Sequence, residues 1–169
     1  MTRVAAIDCG TNSIRLLVAD GETMGEHITL NDLTRQMRIV RLGQGVDRTG
    51  RLAPEAIERT LAAVREYKRM IDNLGASDIR FVSTSAMRDA ENRQDFIEPV
   101  KELLGVYPEV VPGTEEAALS FAGAASSVHA YDRGKVLVVD IGGGSTEMVV
   151  GTLGKGVDAA YSADMGSVR

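Results

Sequence analysis

Two stretches of this 169-residue chain, VAAIDCGTNSIRLLVA at 4–19 and VLVVDIGGGSTEMVVG at 136–151, align without a gap at an offset of 132. Asp8 falls on Asp140, Gly10 on Gly142, Ser13 on Ser145 and Val18 on Val150, with apolar residues on both flanks. Each copy is a short apolar run, a turn-rich loop and a second apolar run, which is the pattern of a strand, tight loop, strand hairpin. Internal similarity of this kind points to duplication of one supersecondary unit. Cys9 falls on Ile141, so it reads as a small buried apolar residue rather than a reactive thiol.

Outward from the hairpins, residues 37–42 alternate as a third strand, followed by a Gly43-Gln44-Gly45 loop. Pro54 opens a helix whose apolar positions Ala56/Ile57, Leu61, Val64, Tyr67/Met70/Ile71 and Leu74 recur with helical period, and Gly75 ends it. Residues 79–83 predict a buried strand, 84–92 a polar loop, 94–104 a helix stopped by Gly105, and 109–111 a short strand. Thr114 is a candidate cap for a third helix through Ala125. Strands return at 135–140, 146–151 and 157–164. The order β-β-β-α-β-α-β-α then β-β-β implies an α/β fold with a mixed sheet flanked by helices. The expected division is 1–133 for the first subdomain and 134–169 for the opening strands of a second.

Composition narrows the function. A formal net charge of −5 argues against a nucleic-acid coat, and no Trp with only three Phe and four Tyr supplies few stacking platforms. No apolar run approaches the ~18 residues of a membrane span, and no basic-then-apolar stretch opens the chain. A single cysteine suits a reducing cytoplasm.

Both loops carry Asp-x-Gly-x-x-Ser. Glycine lets backbone N–H groups approach an anion without a Cβ in the way, and Gly142-Gly143-Gly144 extends this. Thr11, Ser13, Ser145 and Thr146 offer hydroxyl donors, and Asn12 a polar contact. Asp8 and Asp140, at strand ends, suit a divalent cation. The plainer alternative is that the glycines only make tight turns; the matched Asp and Ser in both loops weigh against it. His27 and His129 have no metal partners at useful spacing and read as surface residues. Arg35, Arg38 and Arg41 are spaced by three, which in a strand is not one face, so they read as a solvated edge. The scattered methionines read as packing.

The runs DCGTNSIRLLVAD (8–20), TSAMRDAENR (84–93), PGTEEAALSF (112–121) and VVDIGGGSTEMVVG (138–151), with the ending DMGSVR, resemble the exopolyphosphatase / guanosine pentaphosphate phosphohydrolase family. The resemblance implies the duplicated ribonuclease-H-like domain of the actin, sugar-kinase and heat-shock-ATPase superfamily. It also implies hydrolysis of a terminal phosphoanhydride of inorganic polyphosphate or guanosine pentaphosphate, with magnesium as cofactor. Glu116 matches the family's catalytic glutamate, which orients or deprotonates the attacking water, while Glu115 is expected to face solvent. The plainer reading of both is ~0.3–1 kcal/mol of helix-dipole complementation. Asp140 and Glu147 carry over as acids around magnesium and the scissile phosphate, Glu147 having a solvated strand-start position as its alternative. Arg88 carries over as a phosphate ligand; Arg15, which follows the first loop, is a candidate contact for the same anion, with an ordinary surface arginine as its alternative.

The resemblance further implies that the second subdomain is truncated here. The expectations are then exposed strands at 136–139 and 148–150, self-association (a homodimer), and weak or absent hydrolysis, because the cleft is built between lobes. Rival functions are an ATP-dependent kinase or ATPase of the same superfamily, or a non-catalytic polyphosphate or alarmone sensor.

Overall fold

A computed structural model describes residues 2–24, 27–127 and 134–168. His129, Arg169 and the side chain of His27 lie outside the described residues. The chain forms two compact units, residues 1–110 and 111–169.

In the first unit the elements are β1 (Thr2–Cys9), β2 (Ser13–Met24), β3 (His27–Ile39), α1 (Val46–Thr49), α2 (Pro54–Leu74), β4 (Asp78–Ser83), α3 (Ser85–Asp89), α4 (Gln94–Leu104) and β5 (Glu109–Val110). The strands form one mixed sheet in the order β3-β2-β1-β4-β5, antiparallel across β1–β3 and parallel across β1, β4 and β5. The apolar alternation read from the sequence sets which face is covered: Ala5, Ile7, Cys9, Ile14, Leu16 and Val18 are buried in one cluster with Leu61, Val64, Tyr67 and Ile71 of α2. The Tyr67 hydroxyl donates to the Ile14 carbonyl at 2.9 Å, tying α2 to the hairpin. Phe81 and Phe96 meet edge to face at 6.2 Å, a geometry worth about 1 kcal/mol beyond burial.

The second unit consists of α5 (Gly113–Ser127) and an antiparallel sheet β6 (Lys135–Ile141), β7 (Thr146–Thr152) and β8 (Gly156–Ala163). Helix α5 packs Ala117 and Phe121 on Val149. A Cβ at Gly151 would stand 2.3 Å from the Phe121 ring, so glycine is what lets the helix sit this close to β7.

Several expectations are corrected. The boundary falls at 110/111 rather than 133/134, because α5 buries its apolar stripe on β6–β8. The third strand starts ten residues earlier than expected, at His27 rather than 37, and ends at Ile39. It is an edge strand exposed on both faces for most of its length, so it carries no alternation to read. The polar loop at 84–92 contains α3. Thr114 lies inside the first turn of α5, which begins at Gly113. Met87 is buried, but Met37, Met148 and Met165 are exposed, so packing explains only part of the methionine set. Arg35 and Arg38 do lie on a solvated edge, Arg35 pairing with Asp32 at 2.9 Å and Arg38 with Glu66 at 3.6 Å, whereas Arg41 lies beyond the strand, exposed and at positive φ.

Candidate active site

The duplicated hairpins fold alike in detail. Asp8 stands opposite Arg15 across β1–β2, and Asp140 opposite Glu147 across β6–β7, the same register displaced by 132. Each loop closes with the same hydrogen bond at 2.9 Å, from Gly10 N–H to the Ser13 carbonyl and from Gly142 N–H to the Ser145 carbonyl.

The likeness extends to the chain that leaves the third strand of each unit. In the first, the Thr11 carbonyl accepts from Gly43 N–H, and the Asn12 carbonyl from Val40 and Arg41 N–H, all at 2.9 Å. Arg59 on α2 braces this segment by donating to the Val40 carbonyl at 2.6 Å. In the second, the Gly142 carbonyl accepts from Ser167 N–H at 2.9 Å, and the Gly143 carbonyl from Val168 N–H at 3.0 Å. In a trans peptide the C=O and the next N–H point in opposite directions, and the described residues contain no cis bond. The amides of Asn12 and Ser13, and those of Gly143 and Gly144, are thereby turned away from these straps. Concave arrays of such amides are anion-binding elements. Gly166 makes the second strap possible, since a Cβ there would lie 2.2 Å from the Gly143 carbonyl oxygen.

Around the first loop the structure gathers Asp8, Gly10, Thr11, Asn12, Ser13 and Arg15. Arg15 pairs with Asp8 at 3.5 Å, both side chains being half exposed or more. Thr11 and Ser85 share a hydroxyl–hydroxyl bond of 2.7 Å, which brings the start of α3 to the loop. Arg88 lies on that helix and is half-buried.

Around the second loop lie Asp140, Gly142, Gly143, Gly144, Ser145, Thr146 and Glu147. The solvated alternative for Glu147 is overturned: the residue is 0% exposed. Its Oε1 accepts from the Ser162 hydroxyl at 2.8 Å, while Oε2 and the Ser145 Oγ are buried with no hydrogen-bond partner. Asp140 Oδ2 accepts from Ser120 of α5. On the same helix Glu115 is exposed, as expected, and Glu116 is half-buried. The Thr146 hydroxyl, expected as a phosphate donor, donates to the Met165 carbonyl at 2.5 Å. Ser120, Ser162 and the strap residues escaped the sequence reading, since their roles depend on register and on backbone groups.

A buried carboxylate oxygen without a partner costs about 1–3 kcal/mol or more, and an unpaired buried ion more still. A hard divalent cation answers such a site, and magnesium characteristically takes one or two carboxylates plus substrate phosphates. Asp140 and Glu147 fit that donor set. Among the described residues no group of three His, Cys, Asp or Glu side chains converges on one point, so a cation here would draw its other ligands from substrate and water. Asp8, paired with Arg15, already has its charge offset.

Two sheets built on duplicated glycine-loop hairpins define an α/β protein of the actin-like, ribonuclease-H-like class. Residues 18–169 match the Ppx/GppA phosphatase family, and the chain belongs to that family. It is 51% identical to exopolyphosphatase 2 of Mycobacterium tuberculosis, covering 100% of this chain and 54% of that protein. It is 38% identical to a bifunctional 3-dehydroquinate synthase/phosphatase of Fusobacterium nucleatum, covering 98% of this chain and 25% of the relative. Among solved structures, an exopolyphosphatase-like protein superposes with TM-score 0.92 at 48% identity, over 99% of this chain and 52% of that one. An exopolyphosphatase from Cytophaga hutchinsonii does so with TM-score 0.87 at 30% identity, over 98% and 51%. The chain thus spans about half the length of the exopolyphosphatase relatives it matches.

Proposed function

We propose that a full-length protein carrying this chain hydrolyses terminal phosphoanhydrides, releasing phosphate from inorganic polyphosphate, from guanosine pentaphosphate to give the tetraphosphate, or from both. The observation that carries the reading is the enclosed Glu147, opposite Asp140 and beside a glycine loop, with one carboxylate oxygen unpartnered. The naming of its relatives as exopolyphosphatases supports the substrate class.

In this reading the amides of Asn12 and Ser13 with Arg88 and Arg15 in the first unit hold phosphoryl oxygens, and so, in the second unit, do the amides of Gly143 and Gly144 with the Ser145 hydroxyl. Bidentate Arg contacts to phosphate are among the stronger charge-assisted bonds. Asp140 and Glu147 would hold magnesium, which when bound neutralises charge on the transferring phosphoryl group. Glu116 accepts a proton from water as the water oxygen bonds to phosphorus. The bridging P–O bond breaks, its electron pair leaving with the shortened chain. Positioning and charge neutralisation are the main requirements of phosphoryl transfer, so no covalent intermediate is invoked.

Alone, the 169-residue chain is proposed to turn over weakly or not at all, and to pair with a second copy. The decisive experiment compares phosphate release by the full-length protein from short polyphosphate, long polyphosphate, guanosine pentaphosphate and ATP-magnesium. Release from a polyphosphate or the pentaphosphate is expected; turnover of ATP alone would select the kinase or ATPase reading, and binding without release the sensor reading.

A further inference from the structure

The interface between α5 and its sheet is apolar at Ala117, Phe121 and Val149, yet one row across the sheet is polar. Asp140, Glu147 and Ser162 are successive register partners on β6, β7 and β8. Glu147 is two residues from Val149, so the row lies on the face that α5 covers. Each acid there meets one hydroxyl from a different element: Ser120 of α5 on Asp140 Oδ2, and Ser162 of β8 on Glu147 Oε1.

We infer that Ser120 and Ser162 are positioning residues for the phosphoanhydride hydrolysis proposed above, each fixing one oxygen of an acid so that the carboxylate presents a set edge to the reacting group or its cation. The inference rests on that reading of the site. A hydroxyl that donates to one oxygen of a carboxyl group favours one rotamer of that acid. For Glu147 the result is visible: Oε1 is held and Oε2 is enclosed without a partner. The bond from Ser162 therefore orients Glu147 without saturating it, unlike a bond that merely satisfies a buried group.

Ser120 has a second consequence. It lies four residues after Glu116, so both occupy the same face of α5, one turn apart. A bond from Ser120 to the end of β6 fixes the rotation and height of the helix over the sheet, and with them the place from which Glu116 acts.

The test uses S120A, S162A, S120T and S162T in the full-length protein. Expected for each alanine variant is a fall of about tenfold in kcat with KM within about twofold, since the acids act on the transition state. Threonine, which keeps the hydroxyl, should restore most of the loss. Manganese binding without substrate, followed by electron paramagnetic resonance, should weaken several-fold in the alanine variants and recover in the threonine ones. Alanine variants with unchanged kcat and unchanged manganese affinity overturn the inference. So do losses that track melting temperature and are not rescued by threonine. Should alanine prevent folding, S120C and S162C keep the volume with a poor donor; the same kcat loss supports the inference, and wild-type kcat overturns it. If the wild-type protein releases no phosphate from any substrate the hydrolase reading fails, whereas manganese affinity still decides whether the serines orient the acids.

Discussion

Glu147 occupies, opposite Asp140, the register position that Arg15 occupies opposite Asp8. Duplication kept the loop and its closing hydrogen bond but reversed the charge across from the aspartate. One hairpin ends in an ion pair half open to water; the other ends in two acids, one of them fully enclosed. Under the proposed function the first hairpin sets an arginine beside its aspartate and its loop amides, whereas the second sets two acids that would hold a cation beside its own.

Glu116→Gln in the full-length protein should lower kcat by a factor of about 100 or more, the usual contribution of a positioned general base. Glu115→Gln, at an exposed site of the same helical turn, should stay near wild type. Steady-state phosphate release with parallel melting curves checks both; near wild-type turnover by Glu116→Gln would remove its assignment.

Gly166→Ala places a methyl group 2.2 Å from the Gly143 carbonyl oxygen. Overpacking of this kind costs about 1–3 kcal/mol, which corresponds to several degrees in melting temperature for a chain of this size. Inhibition of the full-length enzyme by inorganic phosphate should weaken at the same time, because the amides of Gly143 and Gly144 lose their orientation. A variant with wild-type melting and inhibition would show that the strap does not set the loop.

Arg3 binds Asp20 through two hydrogen bonds of 2.7 and 2.9 Å and reaches the Leu74 carbonyl at 2.6 Å. The hydrogen bonds from Arg3 hold the Asp20 carboxyl below its ordinary range. A depressed folded-state value contributes stability that is complete above the unfolded-state value and is lost as pH falls through the folded one. Stability of the wild type should therefore decline below about pH 4 more steeply than that of Asp20→Asn, as measured by urea unfolding across an acid pH series. Parallel slopes would contradict the pairing.

Cys9 is 1% exposed, and burial pushes its thiol well above the usual range. Ellman's reagent at pH 8 should find no reactive thiol in the native protein and one per chain in denaturant. Rapid native labelling would contradict the packing of β1.

Leu137, Val139, Ile141 and Tyr161 are exposed on β6 and β8, with Met148 between them on β7. Contiguous apolar surface of this type drives association. Sedimentation of the 169-residue chain should show concentration-dependent self-association, and Leu137→Lys should reduce it; a clean monomer at all concentrations would remove the proposal.

Much of this architecture is legible in the sequence because the deciding features are carried by side-chain type. Asp8 and Asp140 with their glycines announce the two hairpins, and the period from Ala56 to Leu74 announces α2. Helix α3 was not legible: five residues give no period, and its buried Ser85 looks like a loop residue. The start of β3 carries no signal because an edge strand with both faces wet imposes no alternation. The straps are bonds between backbone groups, marked only by the small residues Gly43 and Gly166. Ser120 and Ser162 acquire meaning only once register places them beside Asp140 and Glu147, which no local spacing reveals.

The bond from Ser167 to the Gly142 carbonyl spans 25 residues. Local hairpin formation alone therefore does not finish the glycine turn; β8 must first be laid beside β7 and the chain brought back. As the chain emerges from the ribosome, the turn stays loosely shaped until that late segment arrives. Under the proposed function, this second loop would take its phosphate-holding shape only once the sheet closes.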